Sequence, residues 1–210
     1  MAPHELADEA GALGFTLSDA ALVSLAGYLD NLIRWNSVIN LIGMSDWRRA
    51  FRSLIVDSLY LARFLEQADL PAALEPQCWD LGAGAGLPGI PLRMLWQRGE
   101  YWLVESREKR ALFLRTALAR YPLPRTHVFH GRAEVFMDGS RRADIVISRA
   151  FMPWEKLLAF VKPHLNPDAR VILLLNAPVA LPENIPWKEA GRFSYPVEGT
   201  ERMFLSLAHA

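Results

Sequence analysis

Four glycines within eight residues, set directly behind a short apolar run, constrain this chain more than any other feature. Residues 77–92 read QCWDLGAGAGLPGIPL. Cys78, Trp79 and Leu81 predict a short buried strand with Asp80 at its carboxyl end, and Ile90 to about Trp96 predicts a helix. Between them stand Gly82, Gly84, Gly86 and Gly89, with only small or apolar residues in the gaps. Strand, glycine turn and helix in this order is how an open α/β sheet presents backbone to a nucleotide-like ligand at the end of its first strand. The glycines let backbone reach contact distance and let some residues take positive φ, which a side chain makes costly. Pro88 and Pro91 suit a first helical turn, where a missing N–H is tolerated.

The stretch carries two overlapping patterns. Gly84, Gly86 and Gly89 form G-x-G-x-x-G, the dinucleotide fingerprint. Asp80, Gly82, Gly84 and Gly86 form D-x-G-x-G-x-G, used by methyltransferases for S-adenosylmethionine. A second apolar run, Tyr101 to Val104, stops at Glu105, 25 residues after Asp80. A carboxylate there can accept both ribose hydroxyl protons, in either class of ligand. The loop by itself therefore specifies an adenosine-containing ligand and leaves the two classes open.

At 210 residues, 51% hydrophobic, the chain suits one domain with a sizeable core. We expect a helical extension over residues 1–76 packed on a core over residues 77–210. The 23 basic and 23 acidic side chains balance, but not locally: residues 101–150 carry ten basic and five acidic groups. That excess beside the glycine loop suits either a phosphate-bearing partner or a solvated helix face. The single cysteine, Cys78, lies inside the first apolar strand and is expected to be a small core residue. One cysteine allows no internal disulfide, which fits a reducing compartment, and five scattered histidines offer no metal-ligand spacing. Residues 1–14 lack the basic start and apolar core of a secretion signal, and no membrane span is expected. A cytoplasmic monomer is the expectation.

In chain order, an acidic, alanine-rich helix with a loose start is expected before Phe15. Thr16 with Asp19 resembles a capping box for a helix carrying Leu22, Leu25, Leu29, Leu32 and Ile33 to about Asn36. Asn36 and Asn40, within WNSVINLIG, are placed to end that helix and bond local backbone. Ser45-Asp46 suits another N-cap, opening a helix from Trp47 to Gln67 in which Ser58 is expected to be solvated or bonded to the preceding turn. Strands are predicted near 77–81, 100–105, 126–130, 143–148 and 169–175, and helices near 90–98, 107–120, 132–137 and 153–164. This alternation argues a parallel sheet. Residues 192–197 and 202–208 read as a terminal hairpin turning at Glu198-Gly199-Thr200, which suits the methyltransferase sheet with its antiparallel last strand. Two further turns fall at carboxyl ends of strands: His130 to Glu134, where a polar group can meet an adenine edge, and Ile147 to Phe151, where Arg149 has no acidic neighbour in sequence.

With these residues assembled, the chain resembles the RsmG (GidB) family, bacterial methyltransferases of small-subunit ribosomal RNA, over about residues 16–208. DLGAGAGLPGIPL is its most specific part. LVESREKRALFLR, GRAE, VISRAF, WNSVINLIG, VDSL and EGTERMFL resemble further family segments. The resemblance implies a Rossmann-like α/β fold, a mostly parallel seven-stranded sheet with helices on both faces. It implies S-adenosyl-L-methionine as cofactor and N7 of a guanine in 16S ribosomal RNA, on the small ribosomal subunit, as acceptor. By position it places Gly82, Leu87, Ala133, Glu134 and Arg149 at the cofactor pocket and Arg202 near the active site. The loop reading adds Asp80, Gly84, Gly86 and Glu105. We take Arg149 and Arg202 as the catalytic candidates, Arg149 orienting the acceptor or the cofactor's tail, and no metal.

Three positions depart from the family's pattern. Ser53-Leu54 stand where an arginine-histidine pair is usual, Asn176-Ala177 where lysine-glycine is frequent, and Met203 where a histidine follows the late arginine. All three remove cationic or hydrogen-bonding groups on the acceptor side. A small-molecule or protein acceptor, and a nucleotide-binding or NAD-dependent role, are the alternatives the residues leave open. Guanine N7 carries a lone pair and no proton, so its methylation needs no general base and rests on positioning.

Overall fold

The computed structural model describes residues 1–73, 75–139, 142–182 and 185–209. Helices α1 (Pro3–Ala12) and α2 (Asp19–Ile39) come first. The cap of α2 is Ser18, whose Oγ accepts from Ala21 N at 3.3 Å, so the expected Thr16–Asp19 box is corrected by two residues. Ser18 has the extended backbone that a cap needs, and Asp19 then sits in the first turn, where the helix dipole favours an anion. At the other end Asn40 takes φ 50°. Asn36 closes the following loop as expected, its Oδ1 accepting from Ile42 N at 2.7 Å and its Nδ2 donating to Met44 O at 2.8 Å.

Asp46 caps α3 (Trp47–Ala50), accepting from Arg49 N at 2.8 Å. The expected single helix is interrupted by a π-helical turn, Phe51–Ile55, before α4 (Val56–Gln67). Such turns insert one residue and rotate the helix beyond them, which is why they gather at functional sites. Arg48 and Arg52 reach back to Glu5 and Glu9 of α1, Arg52 in a two-bonded fork at 2.6 and 3.0 Å.

The sheet is built from β1 (Gln77–Leu81), β2 (Glu100–Glu105), β3 (Thr126–His130), β4 (Ala143–Arg149), β5 (Leu165–Leu175), β6 (Trp187–Val197) and β7 (Thr200–His209). Its order is β3-β2-β1-β4-β5-β7-β6. The first five strands are parallel, while β7 runs antiparallel to β5 and β6 antiparallel to β7. Helices α5 (Gly89–Leu95), α6 (Glu108–Arg120), α7 (Ala133–Gly139) and α8 (Trp154–Val161) make the crossovers. The predicted strands all form; β5 and β6 begin earlier than their apolar runs do.

Strands buried on both faces divide their side chains between two cores. Cys78, Ile145, Ile147 and Ile172 join the core beneath α1, α2, α4, α5 and α6. Trp79, Leu81, Val146, Val171 and Leu173 join the one beneath α7 and α8. Alternation along each strand enforces this split, and it explains the unbroken apolar runs in the sequence. Cys78 is a buried core residue as expected, and burial pushes its thiol up to about 12. Arg93 of α5 is also fully buried. It donates to the carbonyls of Trp96, Gln97, Arg98, Gly99 and Pro124 and to Thr126 Oγ1, tying the α5–β2 turn to the start of β3. No helix among the described residues is long and apolar enough to cross a membrane.

Candidate active site

The glycine loop lies between β1 and α5, in the crevice where the strand order reverses. Gly82, Gly84 and Gly86 all have positive φ, at 75°, 58° and 76°. The amino-terminal helices grip this loop from the side. Tyr28 of α2 donates to Ala85 O at 2.6 Å, and Ser58 of α4 donates to Pro88 O at 3.0 Å. Ser58 is therefore neither solvated nor bonded to its own helix, which corrects the expectation for it. Both bonds are buried, so the loop's conformation depends on helices that precede it by some thirty residues or more.

Glu105, at the end of β2, fastens the loop from the front. Its Oε2 accepts from Gly84 N at 2.9 Å and its Oε1 from Arg107 N at 2.7 Å. Each carboxylate oxygen can take a second hydrogen bond, so ribose hydroxyls are not excluded. Beside it opens a cleft of about 280 Å³, lined by Gly82, Val104, Ser106, Phe151 and the turn 131–134. Among the candidate residues, Gly82, Ala133 and Glu134 share this cleft. Glu134 pairs with Arg132 at 3.1 Å, and that bond, with a backbone contact, holds its carboxyl below the usual range. Gly86 and Leu87 are packed down into the core instead.

Asp80 lies beneath the loop, 1% exposed. Tyr101 donates its hydroxyl to Asp80 Oδ2 at 3.2 Å, and Gly89 N–H donates from the start of α5. Burial outweighs both bonds and pushes this carboxyl up to about 7. An acid whose folded-state pKa lies above its unfolded value keeps its proton better when folded. Its stabilisation is complete below the unfolded pKa, near 4, and is lost as pH rises toward about 7. Asp80→Asn should accordingly gain melting temperature relative to the parent between about pH 5 and pH 8. A difference that stays constant across that range would show that Asp80 does not titrate there.

On the β4 side of the loop, Arg149 and Arg202 meet at one carboxylate. Asp57 of α4 accepts from Arg202 Nη1 at 2.8 and 2.9 Å and from the Tyr195 hydroxyl at 3.0 Å. Arg202 Nη1 also donates to Ser53 O, in the π-helical turn, at 2.6 Å. Arg149 Nη1 stands 3.5 Å from Asp57 Oδ2. Burial and the Asp57 charge push the Tyr195 hydroxyl well up, keeping it a proton donor. Asp57 was not among the residues singled out from the sequence. Its one signal was an acidic residue in an otherwise apolar helical stripe.

A sheet in this order, with a glycine loop after β1, an acidic end to β2 and an antiparallel β7, defines a Rossmann-like methyltransferase. Solved structures share the frame. MtNAS in complex with S-adenosylmethionine matches with a TM-score of 0.56 at 14% identity, over 91% of this chain and 78% of that one. Precorrin-6y C5,15-methyltransferase from Geobacter metallireducens matches with a TM-score of 0.52 at 14% identity, over 73% and 87%. Residues 21–183 match the GidB family, rRNA small subunit methyltransferase G. Ribosomal RNA small subunit methyltransferase G of Nitratidesulfovibrio vulgaris is 54% identical over 196 residues, 92% of this chain and 88% of the relative. The chain belongs to the GidB family of methyltransferases.

Proposed function

We propose that this protein, acting as a cytoplasmic monomer, transfers the methyl group of S-adenosylmethionine to N7 of a guanine in 16S ribosomal RNA. When bound, S-adenosylmethionine supplies an activated methyl group for the N7 lone pair. The residues fit its adenosine part: Gly82, Ala133 and Glu134 line one cleft, and Glu105 at its edge retains acceptor capacity. Gly84 keeps the loop surface open, since a Cβ built there meets nothing closer than 3.7 Å. Asp80 acts from below by holding Gly89 and Tyr101, while Gly86 and Leu87 act through packing. N7 holds no proton, so the site's residues need only place the base and keep water out.

The observation that carries the RNA acceptor is the cationic edge next to the loop. Arg107, Lys109 and Arg110, with Ile39 and Asn40, border a hollow of about 430 Å³. Arg110 Nη1 comes within 3.8 Å of a Cβ built on Gly84. None of the three is in an ion pair among the described residues. Such groups suit phosphates, which position an RNA without reading its sequence. The family departures are accommodated inside the protein: Ser53 Oγ donates to Glu198 Oε2 at 2.5 Å, and Met203 is buried in the core. A whole subunit offers many other phosphates in place of the missing cations.

The test is transfer of labelled methyl groups to small subunits that lack the modification, followed by borohydride–aniline cleavage at 7-methylguanosine. Label with a single new cleavage site is the expected result. Label without cleavage would mean another atom is methylated. No label, with S-adenosylhomocysteine still bound, would move the acceptor to a small molecule or a protein.

A further inference from the structure

Around Asp57 the hydrogen bonds are complete everywhere except at one group. Asp57 is satisfied by Arg202 and Tyr195 without help from Arg149. Arg202 is satisfied by Asp57 and by Ser53 O. Arg149 is different. Its side chain is 21% exposed, its single ion-pair partner stands at 3.5 Å, and it enters no hydrogen bond among the described residues. A guanidinium carries five N–H donors in a fixed fork, and leaving them unused in a largely buried place is costly. Arg149 also ends β4, next to β1, and its charge is felt at Asp80 and Tyr28 beside the glycine loop. The cluster is thus a finished support with one free head at the crevice.

Resting on the methyl-transfer reading above, we propose that Asp57 is a positioning residue for the reaction. It holds the Arg149 guanidinium so that the free N–H groups meet an oxygen of the incoming nucleotide, while Arg202 and Tyr195 hold Asp57 itself. The division of labour follows from the distances: Arg202 is locked, and Arg149 is available. Charge supports the same assignment. Methylation at N7 leaves the guanine ring cationic, and two unneutralised arginines next to it would oppose that change. One shared carboxylate removes half of the opposing charge in a site where water screens little. Asp57 achieves both effects from the α4 backbone, which is also fixed to the glycine loop through Ser58.

The experiment compares wild type, Asp57→Asn, Arg149→Met and the double variant on small subunits lacking the modification. S-adenosylhomocysteine affinity and binding stoichiometry are measured by calorimetry for each. Asp57→Asn should lower kcat about 100-fold, the scale set by a misplaced reacting group. Its S-adenosylhomocysteine affinity should stay within about threefold of wild type, because Asp57 acts on the acceptor. In the Arg149→Met background, Asp57→Asn should cost almost nothing further, because the residue through which it acts is gone. Independent, multiplying losses, or an unchanged kcat in Asp57→Asn, would overturn the role. If Asp57→Asn fails to fold, Asp57→Glu decides: it keeps the charge and displaces it, so a tenfold or larger fall in kcat supports the role and wild-type kcat removes it. An inactive wild type would instead count against the RNA acceptor, and with it against any orienting role for Arg149.

Discussion

Gly84→Asp is expected to bind no measurable S-adenosylhomocysteine while melting within about two degrees of the parent. Gly84 has φ 58°, a left-handed conformation that aspartate tolerates better than most residues. A Cβ there meets only Gly82 O at 3.7 Å and Arg110 Nη1 at 3.8 Å, so nothing in the fold must move. The new carboxylate can even pair with Arg110. It would stand in the space through which the ligand reaches the loop and would repel the ligand's own carboxylate. A loss of at least 100-fold in affinity corresponds to about 2.7 kcal/mol, modest for a blocked contact surface plus a like-charge pair.

Neighbouring glycines provide the contrast. A Cβ on Gly86 would fall 2.6 Å from Ile90 Cδ1 and 2.9 Å from Leu114 Cδ2, and one on Gly89 would fall 2.5 Å from Asp80 Oδ2. Alanine at either position should therefore lower stability, where aspartate at Gly84 does not. Unchanged S-adenosylhomocysteine affinity in a folded Gly84→Asp protein would show that the loop is not the ligand's seat.

Arg93→Met is the substitution expected to cost most in stability, about 3–5 kcal/mol, as for other buried charges whose removal strands their partners. Methionine fills a similar volume but donates nothing. Five carbonyls and the Thr126 hydroxyl lose their donor together, and each orphaned buried acceptor costs about 1–3 kcal/mol before relaxation and water offset part of it. Arg93→Lys should fall between the two proteins, because an ammonium has three donors and no planar fork. Urea unfolding measures this directly. A Met variant within about 1 kcal/mol of the parent would mean that the α5–β2 turn resatisfies itself with solvent.

These two cases also divide what was legible from what was not. The glycine loop, the acidic strand end at Glu105 and all seven strands could be located from the residues, because each rests on contacts within a few positions of chain. Apolar periodicity, turn chemistry and the two-faced burial of a parallel strand are local statements about sequence. The same local view misplaced the cap at Ser18 by two residues, since Thr16 and Ser18 offer similar hydroxyls and only the entry path of the chain selects one.

Nothing local announces that Ser58 bonds Pro88 O, that Arg93 collects five carbonyls, or that Asp57 lies under Arg202, which is 145 residues away. The sequence by itself determined the alternation of strand and helix, the ligand-facing loop and the family resemblance. Only the tertiary structure decided which of the 23 acidic side chains Arg149 and Arg202 share. That choice is made when α4, turned by the π-helical residues before it, packs across the ends of β4 and β7. A buried arginine must find a carboxylate or a carbonyl, but its chemistry is satisfied by any of them. Geometry alone picks the partner, and geometry exists only once the core has closed.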